Sequence, residues 1–403
     1  MLANRLGAAA TSLAAATVIL LVGFTHDALT TGTKKPQPDG PAKAGAPPAV
    51  PLGLPPLPVP PSDPAVVELG KKLFFDRRLS ANNTMSCGMC HVEDEAFTSN
   101  QLGASVGMEG RSVKRNAPTI FNVVYEKTLF RDGRESALET QVWSPMLAHN
   151  EMAAPSVGWV LDVIRSLPNY QDAFKETYPE RGITMDTVGE AIAAYERSLL
   201  LANSPFDRWH YGGEDDALTP EEIKGFELFT GKAGCAACHT IGPDSALFSD
   251  QKFHATGLGY TRTMGLEDDH LHDIMLAPGK YTKRSEGQLE MISRVPENDI
   301  GRFEITRKSD DRWAYKTPSL RNIELTRPYM HDGSFLTLEE VVAFYDVGGH
   351  DSPTRSPLIK PLNLDQHEKE ALVAFLKSLT GTPETSSDTS QPASTARRTY
   401  NSP

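Results

Sequence analysis

The chain has 403 residues, which is the length of two or three ordinary domains. Hydrophobic residues make up 39% of it and charged residues 23%, a balance typical of a soluble globular protein. Its 52 acidic side chains outnumber its 40 basic ones, and the formal net charge is −12. This balance argues against a nucleic-acid-binding protein.

The N-terminal segment, residues 1–28, predicts export. Arg5 is followed by an uncharged run from Leu6 to Phe24, and a basic residue before an apolar run is typical of a secretory signal. No convincing small-residue cleavage site follows, and the run is almost long enough to span a bilayer. The segment is therefore either a cleaved signal peptide or a membrane anchor.

Residues 29–63 are rich in proline and alanine. This composition predicts a semi-extended linker that tethers the following domains to a membrane, and it also suits an ordinary disordered leader. We therefore expect a periplasmic protein, either soluble after cleavage or anchored by its N-terminal segment.

All four cysteines lie in two copies of one pentapeptide, C-x-x-C-H. The copies are Cys87-Gly88-Met89-Cys90-His91 and Cys235-Ala236-Ala237-Cys238-His239. This is the attachment sequence of c-type haem, in which both thiols add to vinyl groups and the histidine becomes the proximal iron ligand. Zinc sites and redox cysteine pairs also use paired cysteines, but neither requires a histidine directly after each pair. The sequence therefore predicts two covalent haems.

The two motifs have similar surroundings. A Gly-x-x-Leu-Phe string precedes each of them, at 70–74 and 225–229, and Phe97 and Phe248 follow the two histidines. The similarity favours a duplicated helix-then-haem unit over two helices that are alike by accident. The motifs lie about one domain apart, so we expect one haem in each of two domains. Their expected bounds are 64–215 for the N-terminal haem domain and 216–380 for the C-terminal one.

Helical periodicity prevails wherever the chain is periodic. Helices are predicted at 188–201, 219–229, 337–347 and 364–379. Capping boxes at Thr219 and Thr337 open the second and third of these, and glycines stop the third and fourth. Strand signals are few and short. The predicted fold is mainly α, with two cytochrome c-like domains, long loops and little β structure, followed by a disordered tail at 381–403.

A haem enzyme needs a side chain that moves protons near one iron. Candidates for this role lie between the two motifs. They are Met108, Asp132, Arg134, Glu139, Gln141, His149, Glu151 and Met152. Each of these taken alone is more often structural, because carboxylates are usually solvated and a lone methionine usually packs in a core.

Six further strings carry a resemblance. They are LGKKLFFD at 69–76, RNAPTIFN at 115–122, DGR at 132–134, NEM at 150–152, LRN at 320–322 and PYMHDG at 328–333. Together with the haem motifs, and in this order, they resemble the bacterial di-haem cytochrome c peroxidases and their relatives of the MauG type, over most of 64–380. The resemblance implies that hydrogen peroxide reacts at the haem on His91 and that the haem on His239 relays electrons.

The resemblance also implies roles for single residues. Glu151 is similar to the family's distal acid–base carboxylate, and Gln141 to its polar companion. A carboxylate there can carry a proton between the two oxygens of peroxide. The family's calcium site between the haems is implied at Asn116 and at the carbonyls of Thr326 and Pro328, and oxygen ligands suit that cation.

Three positions depart from the family pattern. Met108 stands where reductively activated peroxidases carry a displaceable histidine, so the first haem is either open or weakly blocked by Met108. Tyr345 replaces a methionine at the second haem and matches the tyrosine ligand of the MauG-like branch, although a core aromatic is the alternative. A tyrosine ligand lowers the haem potential, and a methionine raises it. Arg131 replaces a tryptophan between the haems, which leaves the inter-haem electron route open.

We therefore expect a di-haem peroxidase-like oxidoreductase that takes electrons from a protein partner. That partner is either a small redox protein or a protein substrate whose side chains are oxidised. The rival interpretation is a non-enzymatic di-haem electron-transfer cytochrome in which both irons are six-coordinate.

Overall fold

The computed structural model describes residues 50–264, 271–277, 280–285 and 298–382. Its helices are Pro64–Phe74 (α1), Cys87–Cys90 (α2), Leu138–Gln141 (α3), Trp143–Leu147 (α4), Val157–Ser166 (α5), Pro168–Thr177 (α6), Met185–Ser198 (α7), Pro205–His210 (α8), Pro220–Thr230 (α9), Leu258–Thr263 (α10), Phe303–Thr306 (α11), Leu338–Asp346 (α12) and Gln366–Lys377 (α13). Its strands are Phe253–Ala255 (β1), Leu271–Ala277 (β2), Lys280–Ser285 (β3) and Ala314–Lys316 (β4). β1 pairs with β4 and β2 with β3, both antiparallel. The described part of the chain is thus mainly helical with little sheet, as predicted.

The capping signals locate the helix starts well. Thr219 and Thr337 each accept a hydrogen bond from the backbone N–H three residues later, and the glutamate there bonds back, so both predicted capping boxes form. The last helix, α13, begins at Gln366, two residues after the expected Leu364, because Asp365 is its N-cap residue. The predicted helix at 188–201 is α7, shifted three residues towards the N-terminus.

Each of the two hydrophobic cores is built on one pair of helices, and the two pairs correspond to each other. α1 packs on α7 in the N-terminal core, and α9 packs on α13 in the C-terminal core. Each contact is closest at the glycine of the Gly-x-x-Leu-Phe string. A Cβ atom on Gly70 would overlap the carbonyl oxygen of Ala191, and one on Gly225 would overlap that of Ala371. Glycine therefore lets both backbones approach, and the arrangement supports a duplicated unit.

The connecting loops repeat as well. Asn122 and Asn322 both have left-handed backbone conformations, with φ of 62° and 60°, and each opens a short 3₁₀ turn. Their side-chain amides donate to one shared acceptor, the carbonyl oxygen of Leu201, at 2.8 Å and 3.1 Å. The segment around Leu201 is thus fastened to corresponding loops of both halves.

The predicted linker at 29–63 is described only from residue 50 onward, and its residues 52–55 are docked rather than free. The carbonyl oxygen of Leu52 accepts from Asn203 N–H at 3.0 Å, and that of Pro55 accepts from the Tyr125 hydroxyl at 2.8 Å. The expected tether or disordered leader therefore does not extend through residues 52–55, because their carbonyls find donors on the folded body. Residues 29–49 lie outside the described residues.

Both chain ends fall largely outside the described residues. The predicted signal or anchor at 1–28 lies wholly outside them, as does the tail from 383 onward. Residues 381 and 382 of the predicted tail are fastened, since Gly381 N–H donates to Asn322 Oδ1 at 2.8 Å. Within the described ranges, no helix is both long and apolar enough to cross a membrane.

Candidate haem sites

The two motif histidines are held in the same way. Nδ1 of His91 lies 3.0 Å from the carbonyl oxygen of Phe97, and Nδ1 of His239 lies 2.8 Å from that of Phe248. Both phenylalanines adopt left-handed conformations, with φ of 56° and 51°. Because Nδ1–H donates to a carbonyl, Nε2 keeps its lone pair for a metal, as an iron-ligating histidine requires. Burial also lowers the pKa of both rings, which favours the neutral, ligating form.

The four cysteines are unpaired in this structure and partly buried. α2 carries Cys87 and Cys90 one turn apart, and a 3₁₀ turn carries Cys235. Burial raises the pKa of the Cys235 thiol to about 11, so it is held as a protonated thiol. At each motif two thiols that form no disulfide lie beside an oriented imidazole, and this arrangement fits covalent haem attachment.

A cavity of about 340 Å³ lies beside the second motif. Cys235, Cys238 and His239 line it, together with apolar side chains of α12 and α13, and most of its wall is apolar. Tyr345, on α12, lines the same cavity. Burial raises the pKa of Tyr345, and the nearby Cys238 and Cys235 add to that effect. The lining of this cavity fits a haem on His239, and Tyr345 belongs to the same lining.

Met108 and Glu151 lie on two loops that are fastened together. The N–H of Met108 donates to the carbonyl oxygen of Glu151 at 2.9 Å. Arg111 donates to the carbonyl oxygen of His149 at 2.8 Å, and Asn150 donates to that of Ser112 at 3.3 Å. The two predicted distal positions are thus parts of one rigid unit.

The carboxylate of Glu151 is partly buried beside the first motif. Burial raises its pKa, and the charge of Arg134 partly offsets that effect. Burial raises the pKa of Cys90, and the charge of Glu151 adds to that effect. No hydrogen bond to this carboxylate is found among the described residues. Glu151 thus lies close enough to the first motif for its charge to act on Cys90.

The other distal candidates separate by environment. Met108 and Met152 are buried in the N-terminal core. Gln141 is half-buried at the end of α3, and the His149 side chain is exposed. Three charged candidates form ion pairs: Asp132 with Arg134 and Arg115, and Glu139 with Arg197 at 2.6 Å. Glu139 is thus tied to Arg197, with 33% of its side chain exposed.

The expected calcium ligands do not offer a free set of oxygens. The side-chain oxygen of Asn116 accepts from Nη2 of Arg131 at 3.1 Å, and its Nδ2 donates to the carbonyl oxygen of Gly103 at 3.2 Å. Thr326 and Pro328 line the same cavity as Asn116 and Arg131. A guanidinium thus uses the one side-chain oxygen that the metal would need, and the residues present do not fit a calcium ion.

An aromatic and ionic cluster between the cores was missed by the sequence argument. The rings of Tyr315 and His331 stack with centroids 3.7 Å apart, and both line the cavity. Arg115 lies over the Tyr315 ring at 5.5 Å and pairs with Asp299 at 2.6 Å. Arg115 and His331 fall within two of the resembling strings, and that was the only signal for them.

Comparisons with known proteins find similar sequences and folds. A family model described as di-haem cytochrome c peroxidase matches residues 64–216. The cytochrome-c peroxidase IdrP1 of Pseudomonas sp. (strain SCT) is 38% identical over 340 residues, covering 83% of this chain and 86% of the relative. The methylamine utilization protein MauG of Methylorubrum extorquens is 35% identical over 326 residues, covering 80% of each.

A solved structure is similar as well. It is that of a MauG-like protein associated with microbial copper homeostasis, with a TM-score of 0.66 and 33% identity. The similarity covers 82% of this chain and 95% of that one.

Proposed function

This chain belongs to the di-haem cytochrome c peroxidase family, and on that premise we propose that it is a peroxidase-type oxidoreductase. It reduces hydrogen peroxide to water with electrons drawn from a protein partner. A haem c on His91 forms the peroxide site, in domain 64–215, and a haem c on His239 forms the electron-transfer site, in domain 216–380.

The difference between two otherwise equivalent sites carries this proposal. Both histidines are oriented by a backbone carbonyl at 3.0 Å or less. Beside the first lies Glu151, a partly buried carboxylate with a raised pKa. Beside the second lies Tyr345, a neutral phenol in an apolar cavity. One site thus has a group for moving protons, and the other has a group suited to hold an iron at low potential.

A haem at each site would supply the iron that exchanges electrons with peroxide and with the donor. Glu151 accepts the proton of one peroxide oxygen and returns it to the departing oxygen, so that the leaving group is water and not hydroxide. The backbone bond from Met108 fixes the loop that carries Glu151. Gln141 acts as the polar companion that orients peroxide. Each turnover consumes two electrons and two protons for two waters.

We infer from Tyr345 that the electrons come from side chains of a partner protein, as in the MauG-like branch that this tyrosine resembles. A tyrosine donor lowers the iron potential and so stabilises the higher oxidation states that oxidation of another protein's side chains would require. A small redox protein as donor is the other enzymatic possibility. The two differ in outcome, because oxidation of a protein substrate leaves a covalent change that mass spectrometry detects.

We place this activity in the periplasm, with the N-terminal segment as a signal or tether. The apolar run after Arg5 supports this proposal. Cell fractionation with an antibody against the chain tests it, since a salt-resistant membrane fraction indicates an anchor and a soluble periplasmic fraction indicates cleavage.

Rapid mixing of the ferric holoprotein with hydrogen peroxide tests the enzymatic proposal. We expect a fast change in the haem absorption spectrum, and then consumption of two electrons per peroxide when a donor protein is added. A non-enzymatic electron carrier with two six-coordinate irons shows no fast change. That result, in protein shown to carry both haems, would overturn the proposal.

A further inference from the structure

Arg131 is a partly buried cation whose side-chain hydrogen bonds go to Asn116, while the carboxylates of Asp332 and Glu126 act on it only at longer range. Its Nη2 donates to Asn116 Oδ1 at 3.1 Å, and its Nε lies 3.5 Å from the Asn116 carbonyl oxygen. Among the described residues, no carboxylate lies within ion-pair distance of its guanidinium. A guanidinium keeps its positive charge at neutral pH.

The backbone around Arg131 follows an internal two-fold pattern. The N–H of Lys316 donates to the carbonyl oxygen of Arg131 at 2.8 Å. The N–H of Asn116 donates to the carbonyl oxygen of His331, also at 2.8 Å. Asn116 lies 200 positions before Lys316, and Arg131 lies 200 positions before His331. The duplication therefore relates Asn116 to Lys316, and Arg131 to His331.

The same offset of 200 residues identifies the counterparts of two expected calcium ligands. Thr326 and Pro328 correspond to Glu126 and Thr128. At that corresponding place the Nζ of Lys316 donates to Glu126 Oε2 at 2.5 Å and to the carbonyl oxygen of Thr128 at 2.6 Å. One copy of the site thus already holds a side-chain ammonium as its cation.

We propose that the guanidinium of Arg131 is the resident cation of the other copy, and that this chain binds no calcium between its haem sites. Calcium needs six to eight oxygen ligands, and the single side-chain oxygen among the three expected ligands, Asn116 Oδ1, already accepts a hydrogen bond from a guanidinium. A dication brought beside this charge would also be repelled by it. The substitution of arginine for tryptophan at 131 thereby replaces a metal ion as well as an aromatic ring.

The test compares metal content and haem spectra in the full holoprotein. Wild-type protein, dialysed and analysed by atomic emission, should contain far less than one calcium per chain. Its absorption and electron paramagnetic resonance spectra should not change with EGTA or with added calcium. Arg131→Gln removes the charge at similar size and should acquire calcium binding, with haem spectra that respond to the metal.

Two companion variants sharpen the comparison. Arg131→Lys keeps a positive charge and should remain indifferent to calcium. Arg181→Gln removes an exposed guanidinium that pairs with Glu190, and should match wild type. One calcium per wild-type chain, with spectra that change on its removal, overturns the proposal. So does an Arg131→Gln protein that carries both haems and ignores calcium. If that variant fails to load haem, the wild-type and Arg131→Lys measurements still decide, and none of these readouts depends on peroxidase activity.

Discussion

The N–H of Met108 donates to the carbonyl oxygen of Glu151 at 2.9 Å, which joins a predicted distal position to the predicted acid–base residue. The bond leaves the Glu151 side chain free while fixing its backbone. Gly107 fits the same contact, since a Cβ on it would overlap the carbonyl oxygen of Asn150. A proton carrier must sit at a constant distance from its substrate, and this pairing of loops provides that constancy.

Glu151→Gln should slow the reaction with peroxide by about 10²–10⁴-fold, because the amide keeps size and hydrogen bonding but cannot accept a proton. Stopped-flow absorbance of the ferric holoprotein measures the rate, and a pyridine haemochrome assay checks that both haems remain. Glu109→Gln is the matched control, since Glu109 is an exposed neighbour that pairs with Arg111. Equal rates in the two variants would remove Glu151 from the acid–base role.

The ferric enzyme should react with peroxide without prior reduction. Met108 is buried in the N-terminal core, and the His149 side chain is exposed, so no histidine of these two loops is placed to block the first iron. Spectral changes with peroxide, measured before and after one-electron reduction, check this. A reaction seen only in the half-reduced protein would mean that some residue caps the iron at rest.

Tyr345→Phe should alter the spectrum of the second haem and leave the fold intact, because the ring keeps its packing against Phe344. Electron paramagnetic resonance of the ferric protein reads the change. Tyr345→Met should raise the reduction potential of this haem, since a thioether favours reduced iron. Tyr329→Phe is the control, because Tyr329 lines the same cavity. An unchanged spectrum in Tyr345→Phe would make Tyr345 a core aromatic.

The haem-attachment motifs and the starts of α9 and α12 could be predicted from local patterns. C-x-x-C-H motifs and capping boxes are contiguous strings, so their chemistry can be inferred from the sequence alone. Glu151 and Tyr345 needed a family resemblance, because a lone carboxylate or tyrosine carries no pattern. The hydrogen bonds of Arg131 to Asn116 and of Lys316 to Glu126 could not be predicted. They join segments that come together only in the folded chain, and no sequence motif indicates that contact. Docking of Pro55 on Tyr125 was missed for the same reason.

Glu196 should make the protein less stable as pH rises from weakly acidic to weakly basic. It is 6% exposed, and its Oε2 has no hydrogen-bond partner in the described part of the chain. Burial raises its pKa from an ordinary 4.5 to about 8, with Arg197 opposing and Glu139 assisting. The folded state therefore holds a proton that the unfolded state releases across this window. The free energy of unfolding falls there by at most about 1.4 kcal/mol per pH unit.

Denaturant midpoints measured across that window check this expectation. Glu196→Gln should flatten the dependence on pH and be more stable than wild type at the alkaline end. Glu190→Gln, on the same helix but in an exposed ion pair, should keep the wild-type slope. The same slope in Glu196→Gln and wild type would assign the pH dependence to other groups.

Gly225→Ala should destabilise the C-terminal core, since its Cβ would overlap the carbonyl oxygen of Ala371, and that oxygen belongs to the backbone of α13 and cannot rotate away. The two helices must then separate, and overpacking of this kind costs about 1–3 kcal/mol.

Gly158→Ala is the matched control. Gly158 lies in α5 with its nearest neighbour, Ser156 Oγ, 3.8 Å from the added Cβ. There alanine should stabilise the helix by up to about 1 kcal/mol, because it restricts the unfolded backbone. Chemical denaturation of the holoproteins gives both numbers. If Gly225→Ala lowers the free energy of unfolding and Gly158→Ala raises it, close helix approach and not helix propensity selects glycine in this string. Gly70→Ala should then destabilise the N-terminal core in the same way. A gain in stability from Gly225→Ala would instead mean that the paired helices tolerate a wider separation, and the argument for a duplicated glycine contact would fail.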